Sequence, residues 1–286
     1  MPDGTLVAYF TDFVREKPLL ILFATFIFFS VLISGWKGVR SILSMAINLL
    51  VIITWIIPQI LQGKDPVVVS ITGSAFLMAV TIYLTYGWTL KTHAAVLGTL
   101  LALSITGILA NYFIDLTHLT GFSNEDALFL SQQSNVQINL RGRVLGGMLI
   151  GALGVLDDLV ITQASAVFEL YRAGQQNFRQ LYRQAMRIGS DHVAATVNTL
   201  VLAYAGAALP MLLLFSLSGE QLTSLVNLEF ITEEIVRTLV GSLGLISAVP
   251  LTTGLACLLV TRHEQLTFLG RFDNRSEDLH SHHHQG

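Results

Sequence analysis

Two adjacent carboxylates, Asp157 and Asp158, stand in the middle of "GALGVLDDLVITQASAVFEL" (151–170), where few other charges occur. At the centre of a bilayer-spanning helix a carboxylate costs at least a few kcal/mol, so its presence there points to a use. The chemistry open to such a pair is cation binding, proton exchange, or acid–base and metal work with further ligands. Neighbouring helical residues project about 100° apart, a poor geometry for a dyad sharing one proton. A purely structural pair, hydrogen-bonded to Thr162, Gln163 or a neighbouring helix, stays open as the alternative.

Helical spacing places Gly147, Gly151, Gly154, Asp158, Thr162, Ser165 and Glu169 on one stripe. Small residues at this spacing let another helix approach closely. The stripe is therefore expected to face protein, with Gly151 packed more tightly than Gly98, whose surroundings hold fewer glycines. A second motif, "GSDHVAATVNTLVLAYAGAALP" (189–210), sets Asp191 and His192 at the mouth of a span and Asn198 and Thr199 about two turns deeper. A buried Asn amide must find a partner, and the aspartate pair is the expected one. Asp191 reads equally as a helix N-cap.

The third motif, "EEIVRTLVGSLGLISAVPLTT" (233–253), carries Glu234 and Arg237. Its Gly241, Leu243, Gly244 and Thr252 repeat the frame of Gly151, Leu153, Gly154 and Thr162. Such a repeat implies two related helices that run in the same direction and face one interior. Pro250 is either a break in the last helix or a packed kink.

The elements that must hold these residues follow from composition. Of 286 residues, 52% are hydrophobic and 12% charged, against about a quarter charged in a soluble domain. Runs near the roughly 20 residues needed to cross a bilayer occupy 18–34, 41–61, 67–88, 94–116, 144–168, 193–217 and 235–260. The fold class is all-α: a polytopic transmembrane helix bundle of about seven spans, with one interfacial cytoplasmic helix at 171–189. In that helix Phe178, Leu181, Tyr182 and Ala185 alternate at helical spacing with Arg179, Arg183 and Arg187. The organisation reads as an extracytoplasmic segment 1–17, four spans in 18–117, a polar extracytoplasmic loop 118–143, the motif-bearing spans in 144–262, and a disordered cytoplasmic tail 263–286. The first run has no small-residue cleavage site and reads as a retained span. Basic residues are in excess at the end holding Lys37, Arg40, Lys91, Arg172, Arg179, Arg183, Arg187, Arg262, Arg271 and Arg275, so that end is expected in the cytoplasm and the N-terminus outside.

A net charge of −3 gives no footprint for nucleic acid. The lone Cys257 excludes an intrachain disulfide. His280, His282, His283 and His284 belong to the polar tail; metal binding is open to them, and a floppy tail is the favoured reading. No P-loop, His-Glu-x-x-His or nucleophile elbow occurs, so no cofactor and no enzymatic activity is expected.

The three quoted motifs, in this order, resemble the YibE/F-like family of prokaryotic multi-pass membrane proteins, over roughly residue 121 to the end of the last span. The resemblance implies a hydrophobic bundle in the prokaryotic cytoplasmic membrane. It also implies that Asp157, Asp158, Gln163, Glu169, Asp191, His192, Asn198, Thr199, Pro210, Glu234, Arg237 and Pro250 occupy motif positions, and it supplies no reaction or substrate. Together these readings favour a transporter or channel-like subunit, with Asp157, Asp158, Thr162, Gln163, Asn198 and Thr199 lining a site for an ion or small polar solute. Glu169, Asp191, His192, Glu234, Arg237 and Pro250 are expected to support or gate it. A scaffold or regulatory subunit is the alternative, and a membrane-embedded enzyme is less favoured. The expected partners are the lipid bilayer, the solute, and a second copy or partner membrane protein.

Overall fold

The computed structural model describes residues 13–122, 139–174, 177–218 and 222–263; most of the 118–143 loop and the tail after 263 lie outside them. The described residues are mostly helical, in the order α1 (Glu16–Val51), a π-helical turn (Ile52–Ile56), α2 (Ile57–Leu61), α3 (Pro66–Tyr86), α4 (Leu90–Leu116), α5 (Leu140–Arg172), α6 (Phe178–Ala207), α7 (Leu209–Ser218), α8 (Leu222–Val226) and α9 (Glu229–Thr261). Six stretches are long and apolar enough to cross a membrane, and the bent pair α6–α7 passes the same test taken together, as a broken span or a re-entrant loop. The chain is a multi-pass integral membrane protein. It divides into two compact units at Ala46/Ile47.

Within the first unit, α1 is interrupted at Gly35, whose φ of 55° and ψ of −134° lie outside the helical region. Glycine adopts such a backbone at little steric cost. The interruption separates two candidate spans, Glu16–Trp36 and Gly38–Leu61.

The second unit is built around α5, which packs against α3, α4, α6 and α9, while α9 also packs against α4 and α6. Its core includes Leu77, Met78, Leu149, Leu156, Leu159 and Leu245, all almost wholly buried. Large apolar side chains also cover the outside: Ile108, Leu202 and Leu214 are each more than half exposed. That inversion suits lipid as solvent.

Polar contacts mark the two ends. At one, the Glu229 carboxylate accepts from the backbone N–H groups of Thr120 and Gly121, each at 2.7 Å. Arg143 donates to the Gly121 carbonyl at 2.9 Å, and Arg141 pairs with Asp115. The end of α4 and the beginnings of α5 and α9 thus lie together. At the other end, the Tyr83 hydroxyl and His93 Nδ1 are hydrogen-bonded at 2.6 Å, and the Tyr171 and His263 rings meet edge to face at 5.7 Å. α5 and α9 therefore run in the same direction, as the repeated Gly-x-Leu-Gly frame suggests. Between Arg172 and Glu229 the chain must return to the first end, and α6–α7 makes that crossing with a 60° bend.

Two expected boundaries move. No joint separates an interfacial helix from the sixth span: α6 is one helix from Phe178 to Ala207, and the turn before it follows Arg172. The break comes later, ahead of Pro210, which is the second residue of α7. Proline has no N–H, and its ring crowds the carbonyl four residues back, which favours a break at this point. Pro250 does not break its helix, because α9 runs through it to Thr261.

Candidate functional site

α5 is 33 residues long, about 50 Å at 1.5 Å per residue, and the aspartates lie near its middle. Asp157 is half-buried, with Oδ1 shut off from solvent and without a hydrogen-bond partner. Asp158 is exposed on the adjoining face. Tyr86, the last residue of α3, lies within electrostatic reach of both carboxylates. An unpaired acid oxygen held out of water needs a cation, a proton or a donor to offset its burial. Tyr86 is a neighbour that the sequence motifs did not flag, because only the parallel packing of α3 on α5 brings it there.

The glycine stripe faces the opposite way from expectation. Gly147, Gly151, Gly154, Asp158 and Thr162 are exposed. A Cβ built at Gly147 or Gly154 meets nothing within 4 Å, and at Gly151 only the Tyr204 hydroxyl, at 3.2 Å. The face of α5 that packs inward carries Leu153, Leu156, Val160, Ala164 and Val167. These side chains fill the spaces between α3, α4, α6 and α9, and glycine has no side chain with which to do so.

Two of the closest notches lie between α4 and α9. A Cβ on Gly98 collides with the hydroxyl of Thr252, and one on Gly244 collides with the hydroxyl of Thr106. The two antiparallel helices each offer one threonine to one glycine, so the match of Gly241 and Gly244 with Gly151 and Gly154 extends to direction and not to burial.

Gln163 is 1% exposed. Its Nε2 donates to the Ala185 carbonyl at 2.9 Å and to Thr253 Oγ1 at 2.7 Å. A Cβ on Gly189 would stand 2.7 Å from Gln163 Oε1, so α6 can come this close only with glycine there. Gln163 is thus a tie between α5, α6 and α9, not a residue lining an open site. Thr162 donates to the Asp158 backbone carbonyl at 2.7 Å, Ser165 to Ile161 at 2.8 Å, and Glu169 pairs with Arg172 at 2.8 Å.

Asn198 and Thr199 do not stand opposite the aspartates as partners. Both are exposed on α6, Thr199 donates to the Ala195 carbonyl at 3.0 Å, and among the described residues no hydrogen bond joins either to Asp157 or Asp158. Asp191 is exposed and His192 half-buried, both inside α6. Asp191 caps nothing: the N-cap is Asn177, whose Oδ1 accepts from the Arg179 N–H at 3.0 Å.

A second polar cluster forms on α9. Arg237 pairs with Glu233 and, at 2.8 Å, with Glu234, while its Nε is buried without a partner. Glu234 and Tyr204 line a cavity of about 290 Å3 that also touches Ala208, Met211 and Phe215, at the bend between α6 and α7. Tyr204 therefore stands between the open face of α5 at Gly151 and the Glu234–Arg237 pair. Glu233, 7% exposed, was legible as an i,i+4 partner of Arg237; Tyr204 had no sequence signal beyond being aromatic. Among the described residues no group of three or more His, Cys, Asp or Glu converges as a metal site.

A family model described as YibE/F-like protein matches residues 22–262, a longer stretch than the three motifs span. Neither the curated proteins nor the solved structures yield a match.

Proposed function

The chain belongs to the YibE/F-like family, and on that premise we propose that it is a transporter or channel-like subunit, not an enzyme, that passes an ion or small polar solute along α5. The carrying observation is the Asp157 carboxylate: one oxygen buried and unpaired, at mid-helix, beside Asp158 on an open face. Intramembrane acids in this setting hold cations or relay protons. The bent span α6–α7, with Tyr204 and Glu234 at its cavity, supplies an element able to move against α5, as broken helices do in transporters. Compared with the residues expected from the motifs, Tyr86 and Tyr204 replace Asn198, Thr199 and Gln163 around the path. The membrane is the prokaryotic cytoplasmic membrane, with the arginine-rich start of α6 inside and the N-terminus outside.

The exposed face of Gly147, Gly151 and Gly154 favours one second reading, a scaffold whose α5 is covered by a second copy or a partner membrane protein. Proteoliposomes loaded with a pH- or cation-sensitive dye separate the two. Wild type is expected to pass protons or a monovalent cation, and Asp157→Asn and Asp158→Asn to insert and purify normally with flux reduced at least tenfold. Asparagine keeps the shape while deleting the charge. Unchanged flux in both variants sinks the transport reading, and failure of both to fold assigns the pair to structure.

A further inference from the structure

We infer that the first three turns of α6 form a docking surface for anionic lipid headgroups. Arg179, Arg183 and Arg187 follow one another at four-residue steps, about 6 Å apart along the axis. All three are exposed, and with Gln180 and Gln184 they line a cleft of about 500 Å3. Among the described residues none of these guanidinium groups is paired with a carboxylate.

The opposite side of the same turns is fixed to the bundle. Leu181, Ala185 and Gly189 are buried, Gln163 bonds to the Ala185 carbonyl, and Val249 closes on Gly189. At 100° per residue this buried row and the arginine row project from opposite sides of the helix. The arginines cannot turn inward without pulling α6 off α5 and α9. A row of unpaired cations held outward by a buried back face calls for an anionic partner.

Depth selects lipid as that partner. Phe178 and Tyr182, whose rings stack 6.2 Å apart, border the buried row at the start of α6, and Tyr171 and His263 meet at the same end of the bundle. Aromatic rings gather at headgroup level in membrane proteins. α6 then continues into the apolar part of its span, so the arginines stand where spans end. Guanidinium groups bind phosphate oxygens through paired N–H donors, and Arg187, the innermost, reaches outward on its flexible stem. The ligand is the phosphate of an anionic glycerolipid, and the site is separate from the path beside Asp157.

The test uses the full-length protein in a neutral detergent, followed by thermal unfolding. It is titrated with phosphatidylglycerol, with phosphatidylcholine, and with glycerol 3-phosphate as a headgroup without chains. Phosphatidylglycerol is expected to raise the unfolding midpoint well beyond phosphatidylcholine, less so at high salt. Arg183→Gln should raise the half-saturating lipid concentration about fivefold, from roughly 1 kcal/mol per basic residue. The triple variant R179Q/R183Q/R187Q should abolish the preference between the two lipids, while Lys64→Gln, at the other end of the bundle, leaves it intact. Three results overturn the inference: a preference that survives the triple variant, glycerol 3-phosphate alone matching the lipid, or a poly-glutamate peptide stabilising where phosphatidylglycerol does not. Should the triple variant fail to fold, an unchanged half-saturation in Arg183→Gln overturns it equally.

Discussion

Replacing Gly98 by alanine tests the packing of α4 on α9 with a single methyl group. The added Cβ would lie 3.0 Å from the Cβ of Thr252 and 3.1 Å from its backbone Cα, with the hydroxyl closer still. Rotating Thr252 relieves the hydroxyl and leaves the other two atoms in the way, so the helices themselves must separate by a few tenths of an ångström. Overpacking of this kind costs about 1–3 kcal/mol. The better helix propensity of alanine returns up to about 1 kcal/mol, for a net loss of about 1–2 kcal/mol. In a chain of this size that is a fall of about 2–8 °C in the unfolding midpoint. Gly154→Ala is the matched control, because its Cβ meets nothing within 4 Å, and it should be neutral or slightly stabilising. Adding Thr252→Ala to Gly98→Ala should recover only part of the loss, since an alanine at 252 keeps the same Cβ and backbone against the new methyl. Thermal unfolding of the wild type, both single variants and the double variant in one detergent gives the coupling between positions 98 and 252 as a double-mutant cycle. If Gly98→Ala and Gly154→Ala unfold alike, or Gly154→Ala is the weaker, the assignment of α5's glycine face to the outside and of Gly98 to a notch is wrong.

Three further outcomes are expected. Gln163→Glu removes both donors to Ala185 and Thr253 and brings a charge among buried helices, so the yield of folded protein at neutral pH should fall sharply, while Gln163→Leu retains more of it; equal yields would contradict the three-helix tie. Arg237→Gln leaves Glu233 and Glu234 without their cation and should destabilise by about 3–5 kcal/mol, more than Glu234→Gln does, as read by thermal unfolding. In a Cys257→Ser background, single cysteines at Arg183 and Asn227, which flank α6–α7, should label from opposite faces of sealed vesicles, and labelling from one face would remove the crossing by α6–α7.

The existence, number and approximate limits of the spans were legible in the residues, because a bilayer of fixed thickness demands apolar runs of fixed length whatever they pack against. The i,i+3 and i,i+4 pairing of Arg237 with Glu234 and Glu233 was equally local, set by the helical repeat alone. Which face of α5 turns inward was not. In water the polar face of a helix is the outer face, but a helix in lipid is apolar all round, and its pattern does not name the packed side. Shape decides instead: Leu156 and Val160 fill the space between four helices, and the glycines beside Asp158 are left outside. Close approach likewise depends on what the partner helix offers. Thr252 meets Gly98, Thr106 meets Gly244, and Gln163 meets Gly189, three encounters between residues far apart in the chain that no spacing within one helix encodes. The bend at Pro210 and the uninterrupted passage through Pro250 divide in the same way: the ring clash is local to both, and the tertiary packing of α9 against α4, α5 and α6 holds the second helix together.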